Sequence, residues 1–189
     1  MNFCSQCGEQ VTQKIPQGDN RLRYVCNSCE TIHYQNPRII AGCIAEHENK
    51  ILLCKRAIEP RLGLWTLPAG FMENQETTQQ AAERESFEEA TAKMTDISLF
   101  CSYSIPHISQ VYVMYRGTLH NGFAQPGEES LETDLYSEDS IPWDELAFPV
   151  VTESLKLYFS DRQNGQFHVH NGAIYRDKDQ KLIVENYPV

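Results

Sequence analysis

Glu85, Glu88 and Glu89 stand at i, i+3 and i+4. On a helix that spacing puts three carboxylates on one face, roughly 5–6 Å apart between Cβ atoms. Such a face repels itself, each like-charge pair costing a helix on the order of a few tenths of a kcal/mol. Only Arg84 and Lys93 lie close enough along the chain to neutralise any of it. A hard divalent cation with oxygen ligands removes the repulsion and turns an acidic face into one that attracts phosphate. The bland alternative is a solvated acidic stripe, which is what most glutamate-rich helix faces are. The flanking residues argue for the site. Leu64 to Gly70 reads LWTLPAG, an apolar strand end and tight loop delivering the chain to the helix. Glu76, Thr77 and Thr78 supply a capping start, and Ala81 and Ala82 allow another backbone to approach closely.

A second constellation lies near the start of the sequence. Cys4 and Cys7 form one CxxC, Cys26 and Cys29 another, with eighteen residues between them. Two such knuckles present four thiolates tetrahedrally around Zn²⁺ at about 2.3 Å, a closed shell that leaves no position for substrate. The zinc is therefore expected to be structural, supplying on the order of 10 kcal/mol to a ribbon too short to bury a sufficient core. Disulfides and a redox CxxC are the competing readings. The lack of a leader-like segment counts against the first, and the lack of a βαβ pattern around either pair against the second. Cys43, Cys54 and Cys101 sit singly in apolar runs and read as buried strand cysteines.

The 189 residues, 41% of them hydrophobic, suit one ordinary domain with a small appendage. No apolar run is long enough to cross a bilayer, so a cytoplasmic protein is expected. A net charge of −10 lacks the cationic field that general nucleic-acid or anionic-membrane binding requires, although Arg21, Arg23 and Arg38 leave a local patch near the ribbon. Three segments follow: a ribbon over 1–34, a main domain over 35–163 and a β-hairpin extension over 164–189. In the main domain, Arg38 to Glu46 and Lys50 to Lys55 read as a hairpin around His47-Glu48-Asn49. Ile97 to Tyr103, Gln110 to Leu119 and Ser130 to Tyr136 have strand composition. The segment IPWDELAF, opened by Pro142, is expected to begin a helix running on through Val151 to Arg162. Asn171-Gly172 signals the turn of a last hairpin, with Lys181 to Glu185 as its second strand, packed on this subunit or on its copy in a homodimer. His168 and His170 share a strand face without an evident third ligand and read as ordinary hairpin residues.

Gly70 to Ala92, GFMENQETTQQAAERESFEEATA, resembles the Nudix box: Gly, five residues, Glu, seven residues, Arg-Glu-aliphatic, one residue, Glu-Glu, one residue, Gly, aliphatic. Gly70, Glu76, Arg84, Glu85, Glu88 and Glu89 match it, while Ser86 replaces the aliphatic residue and Thr91 the glycine that ends the helix. The resemblance implies an α/β/α sandwich with a mixed sheet, and a pyrophosphohydrolase dependent on Mg²⁺ or Mn²⁺. It implies Glu85 and Glu89 as principal ligands, Glu88 as a further ligand or a holder of metal-bound water, and the Ala69 carbonyl as a backbone ligand. Arg84 would orient the carboxylates and Glu76 would brace the loop. The general base is sought in the later loop GEESLE, in Glu129 or Glu132 with Glu128 behind them; an exposed acidic loop is the alternative. Arg56 and Arg61 are candidates for phosphate and Trp65 and Phe71 for stacking a base, each equally open to a structural role.

A ribbon ahead of this domain resembles two groups, the NADH pyrophosphatases and the FAD and ADP-ribose pyrophosphatases. The window CSYSIPHISQVY departs from the SQPWPFPxS of the first, whereas GLWTLPAGFME, IPHISQVY and IPWDELAF look like the second. The expected partner is therefore a small dinucleotide or nucleoside diphosphate derivative, with FAD or ADP-ribose favoured. Two other readings stay open: a regulator that senses nucleotides without cleaving them, and an RNA 5′-end hydrolase or nucleic-acid module.

Overall fold

The computed structural model describes residues 1–188, and the chain divides into two compact units, Met1–Pro37 and Arg38 onward. In the first, strands β1 (Val11–Lys14), β2 (Arg23–Cys26) and β3 (Ile32–His33) form an antiparallel sheet in that order. Its described residues bury only Cys4, Val25 and Cys26, far too little apolar surface to stabilise a fold alone.

The second unit contains β4 (Arg38–His47), β5 (Lys50–Arg56), β6 (Trp65–Thr66), β7 (Ala69–Phe71), α1 (Thr78–Ala90), β8 (Met94–Ile105), β9 (Gln110–Leu119), β10 (Ser130–Tyr136), α2 (Pro149–Asn164), β11 (His170–Arg176) and β12 (Leu182–Asn186). The strands make one mixed sheet in the order β10-β5-β4-β9-β8-β11-β12, with β6 paired to β5 and β7 to β4. β4 and β9 are parallel from Arg38↔Gln110 to Glu46↔Thr118, and β11 lies parallel to β8. The β4–β5 turn carries positive φ at both Glu48 and Asn49, the backbone that a tight hairpin needs.

Alternation along the strands assigns the two faces. Ile40 and Ile44 of β4 and Ile51 and Leu53 of β5 pack with Val150, Val151, Leu155, Tyr158 and Phe159 of α2. The intervening Ala41 and Cys43 pack with Ala81 and Ala82 of α1, and Ala45, Leu52 and Cys54 with Ala90. Small residues on both sides of the α1 interface bring that helix close to the sheet, whereas the α2 face is filled by large ones. The sandwich expected from the sequence is present, and the three single cysteines are buried strand residues within it.

Helix α1 starts on a reciprocal capping box: Thr77 Oγ1 accepts from the Gln80 N–H (3.2 Å) and Gln80 Oε1 from the Thr77 N–H (2.8 Å). It ends with Thr91 in the left-handed region (φ 51°), its N–H and that of Ala92 donating to the carbonyls of Phe87 and Ser86. Thr91 thus takes the conformation normally given to glycine. Ser86 is fully buried and satisfies its hydroxyl by donating to the Ala82 carbonyl (2.7 Å).

Two local expectations fail. IPWDELAF does not begin α2: it makes a single 3₁₀ turn at Trp143–Glu145, and Phe148 is extended because the residue before a proline is excluded from the helical region. Asn171-Gly172 is not a turn but lies inside β11, where the Glu185 carbonyl and the Tyr103 ring fill the space a Cβ would need. The hairpin instead turns at residues 177–181, where the Asp177 carboxylate accepts from the N–H groups of Asp179 and Lys181 (both 2.9 Å).

The C-terminal hairpin is built into the sheet rather than appended to it. Asp161 on α2, almost fully buried, accepts from the His168 N–H (2.9 Å) and pairs with His170 Nε2 (2.8 Å), so the two histidines serve the hairpin's attachment. Asp161→Ala strands both partners in a dry interface and should lower unfolding free energy by roughly 2–4 kcal/mol in urea titrations. Asp161→Asn, which keeps an acceptor, should recover part of it; a change below about 0.5 kcal/mol for the alanine variant would remove Asp161 from this role.

Candidate active site

Three segments converge at one end of the sheet: the loop through β7, the second half of α1, and the loop at residues 124–129. β7 pairs with β4 and brings Ala69 and Gly70 against α1. A Cβ at Gly70 would displace the Glu85 carboxylate from its place beside Arg84. The third segment docks on the end of α1, where the Gln125 and Gly127 N–H groups donate to the carbonyls of Ala90 (2.8 Å) and Glu89 (2.9 Å). A Cβ on Gly127 would overlap the Glu88 carbonyl, so glycine is required here. The orphan carbonyls of the helix end thereby hold in place the loop that carries Glu128 and Glu129.

Arg84 organises the acidic face. Its guanidinium donates to Glu76 (2.8 and 3.1 Å), Glu85 (2.7 Å), Glu88 (2.9 Å) and the Phe71 carbonyl (3.0 Å). Glu76 in turn accepts from the Glu73 N–H (2.6 Å), tying the loop before the helix to the same cation. The guanidinium beside it holds the Glu76 carboxyl down to about 2. Glu89 is in the opposite situation. It is 6% exposed and takes one hydrogen bond, from the Ala69 N–H at 3.2 Å. Burial, reinforced by the charges of Glu85 and Glu129, pushes its carboxyl up to about 8. Burial raises Glu85 as well.

These groups open onto a cleft of about 1150 Å³. Ala69, Arg84, Glu85, Glu88 and Glu89 line it, and so do Glu128 and Glu129. Arg56, Arg61 and Phe71 also reach it. Arg56 is held by the Pro60 carbonyl (2.9 Å) over the Phe148 ring, while Phe71 is 46% exposed and stacked by Arg38 at 4.7 Å. Two candidates lie elsewhere. Trp65 is 4% exposed, edge-on to Tyr136 at 5.1 Å with Lys55 over its ring, so it has no free face for a base. Glu132 lies on β10, just past an irregularity in its pairing with β5 between Ser130 and Glu132, and forms an ion pair with Lys55 (3.5 Å) outside the cleft lining. Of the proposed patch, Arg38 is engaged with Phe71 and Arg23 with Asp19 (2.8 Å).

Sequence reasoning missed a second wall of the cleft. His107, Ile108, Gln110 and Tyr112 come from the turn between β8 and β9 and the start of β9, and Ile174, Arg176 and Leu182 from the C-terminal hairpin. The first group falls within the IPHISQVY window, whose composition alone does not mark it as cleft lining. The second carried no motif at all.

The donor sets fit metals. In the ribbon, the four cysteine sulfurs lie within 4.8 Å of one another, the only such group of ligand atoms among the described residues. Neighbouring Sγ atoms are 3.4–3.7 Å apart, near the roughly 3.8 Å edge of a tetrahedron with 2.3 Å Zn–S bonds. Hydrogen bonds from Thr31 and from backbone N–H groups draw Cys29 and Cys26 down, Cys29 to about 6, whereas Cys7, despite its backbone hydrogen bond near Glu9, is pushed up to about 12 by the neighbouring sulfurs. Four thiols so close hold their full charge only around a cation. In the cleft the donors are hard carboxylate oxygens of the kind that suit a divalent cation: Glu89 is buried without a countercharge in contact with it, and one Nη of Arg84 donates to both Glu85 and Glu88.

A Nudix N-terminal zinc-ribbon model matches residues 2–35, and the NUDIX domain model matches residues 36–158. The chain belongs to the Nudix family. A NUDIX hydrolase from Nitrosomonas europaea is 54% identical with a TM-score of 0.90, covering 93% of this chain and all of that one. An NAD-capped RNA hydrolase of Vibrio vulnificus (strain CMCP6) is 31% identical over 144 residues, 75% of this chain and 53% of its own length. An ADP-ribose pyrophosphatase of Methanocaldococcus jannaschii is 33% identical over 122 residues, 61% of this chain and 69% of its own. This Nudix chain thus spans about half the length of the NAD-capped RNA hydrolase it matches. Among the described residues no helix is long and apolar enough to cross a membrane.

The state of Glu89 gives a pH signature. Folding raises its carboxyl from an ordinary value of 4.5 to about 8, so across that window the folded chain keeps a proton that the unfolded chain releases. Without added divalent cation, this group's contribution makes stability fall as pH rises from about 4.5 to about 8. Glu89→Gln should flatten the decline; parallel pH profiles of melting temperature for the two proteins would refute the burial argument.

Proposed function

We propose that the cleft hydrolyses the pyrophosphate bond of a nucleoside diphosphate linked to another moiety, releasing a nucleoside monophosphate and a phosphorylated remainder, with FAD or ADP-ribose favoured. The observation that carries this is the buried Glu89 carboxylate, set beside Glu85 and Glu88 at the foot of a cleft large enough for a dinucleotide. Glu85, Glu88 and Glu89, with the Ala69 carbonyl, would hold Mg²⁺ or Mn²⁺. Bound there, such ions neutralise phosphate charge and acidify coordinated water. Arg84 sets the spacing of Glu85 and Glu88, and Glu76 braces the loop through Glu73. Arg56 and Arg61 bind phosphate oxygens from the opposite rim, and the exposed Phe71 face stacks a base. Glu129, placed by the docked loop close enough to raise Glu85 and Glu89 through its charge, takes the proton of the attacking water. In this reading residues 1–34 are a zinc-stabilised module, residues 35–163 carry the chemistry, and residues 164–189 complete the sheet.

The test is a panel of FAD, NADH, ADP-ribose, nucleoside triphosphates and NAD-capped RNA with Mg²⁺ or Mn²⁺, the products identified by mass. Capped RNA belongs in it because of the relatives named above. AMP from a linked diphosphate supports the reading; binding without turnover of any member would instead make the chain a nucleotide sensor. Glu89→Gln should keep its fold and zinc content while turnover falls by more than about 100-fold, whereas wild-type rates would exclude Glu89 as a ligand. Stripping zinc should unfold residues 1–37 and leave the circular dichroism of the larger unit in place; a ribbon that stays folded without metal would show that the thiol cluster is not its anchor.

A further inference from the structure

A zinc ion held by four thiolates carries a net charge of about −2, and sulfurs shut away from water must offset it with hydrogen bonds from the protein. In the ribbon those are Cys4 and Cys26, 3% and 0% exposed, whereas Cys7 and Cys29 are open to solvent. Cys26 is served by its own knuckle: the N–H groups of Ser28 and Cys29 both donate to its sulfur at 3.4 Å. Cys4 obtains only the first of these donors locally, from the Gln6 N–H at 3.4 Å. The second place is taken by His33, whose Nε2 stands 3.3 Å from the Cys4 sulfur. His33 lies outside the group of four sulfurs that are all within 4.8 Å of one another, so it faces a ligand without belonging to the ligand set. β3 is only the pair Ile32–His33, held to β2 through Val25 and Tyr24, and a ladder so short does not fix that ring by itself.

Resting on the zinc reading above, we propose that His33 is a positioning residue for the metal: its Nε2–H completes the hydrogen-bond shell of the buried Cys4 thiolate, holding zinc in the ribbon and, in return, tying β3 to the first knuckle. A zinc-bound thiolate has no proton to give, so the nitrogen facing it must carry one, which fixes the tautomer of the ring. The hydrogen bond stabilises charge on a sulfur that water cannot reach, so Cys4 is slower to leave the metal when a chelator competes. A phenyl ring in the same place would fill the space and give none of this.

The full chain loaded with zinc and challenged with a chromophoric chelator reads the role as a rate of metal release. His33→Phe keeps the ring volume without the donor and should release zinc about 10- to 100-fold faster than wild type, while His33→Gln, which restores an N–H at similar reach, should recover most of the difference. Loaded with Co²⁺ instead, the phenylalanine variant should show its sulfur-to-cobalt charge-transfer band at lower energy, with the ligand-field bands of a four-sulfur site unchanged. A residue that merely packs would move neither. In zinc-loaded wild type, histidine-selective nitrogen NMR should find His33 with a proton on Nε2. Release at the wild-type rate with an unmoved band in His33→Phe, no recovery by glutamine, or a ring bare at Nε2 would each overturn the proposal, and the last needs no variant to fold. A wild-type chain that takes up neither zinc nor cobalt would overturn the metal reading, and this inference with it.

Discussion

The acidic end of the sheet depends on one guanidinium. Arg84 touches Glu76, Glu85, Glu88 and the Phe71 carbonyl, so the loop and two carboxylates of the helix, one half-buried and one exposed, are all referred to a single rigid fork. A lysine would supply the charge but not the simultaneous directions, since its ammonium is a point donor on a flexible stem. Glu89 is outside that set. It lies one helical turn deeper than Glu85, out of reach of Arg84, and its only hydrogen bond comes from the loop backbone at Ala69. The four carboxylates therefore divide unequally: Glu76, Glu85 and Glu88 all accept from Arg84, while Glu89 is held where its charge is least tolerable without an external cation.

That arrangement follows from how closely α1 approaches the sheet. Alanine and cysteine on β4 meet alanines on α1, and Gly70 and Gly127 admit contacts that any side chain would block. Burial of Glu89 is a consequence of the same approach, so the packing that stabilises the fold is also what perturbs the acid. The loop at 124–129 reinforces it by capping the helix end with its own N–H groups, which fixes Glu128 and Glu129 at the mouth without any side-chain tether.

Most of this was legible in the residues. The i, i+3, i+4 carboxylates, the glycine-led loop and the four ribbon cysteines each carry a spacing that few other structures require, and β9 and β10 fall at the boundaries their composition suggested. What was not legible is instructive. Trp65 and Phe71 are both aromatic and both near the box, yet one is sealed against Tyr136 and the other faces the cleft; only the β5–β6 and β4–β7 pairings decide which. Glu129 and Glu132 lie in one acidic run, but strand β10 begins between them with an irregular pairing between Ser130 and Glu132, and only Glu129 lines the cleft. Asn171-Gly172 has the composition of a turn, and its glycine instead answers a close approach from β12 and Tyr103.

The C-terminal hairpin shows why local motifs undercount a binding site. A cleft at the end of a mixed sheet is bounded by whatever strands reach that end, in sheet order and not in chain order. β11 joins β8 in parallel, an arrangement that needs a long connection, here running through β9, β10 and α2, and no short window of sequence records it. Once joined, β11 runs toward the same end as the turn after β8, and its last residue must lie beside His107 and Ile108. Arg176 reaches the cleft because of strand direction and register alone. The lining of the cleft therefore extends beyond the span that matches the family model, onto an element whose only sequence signature is that it forms a strand.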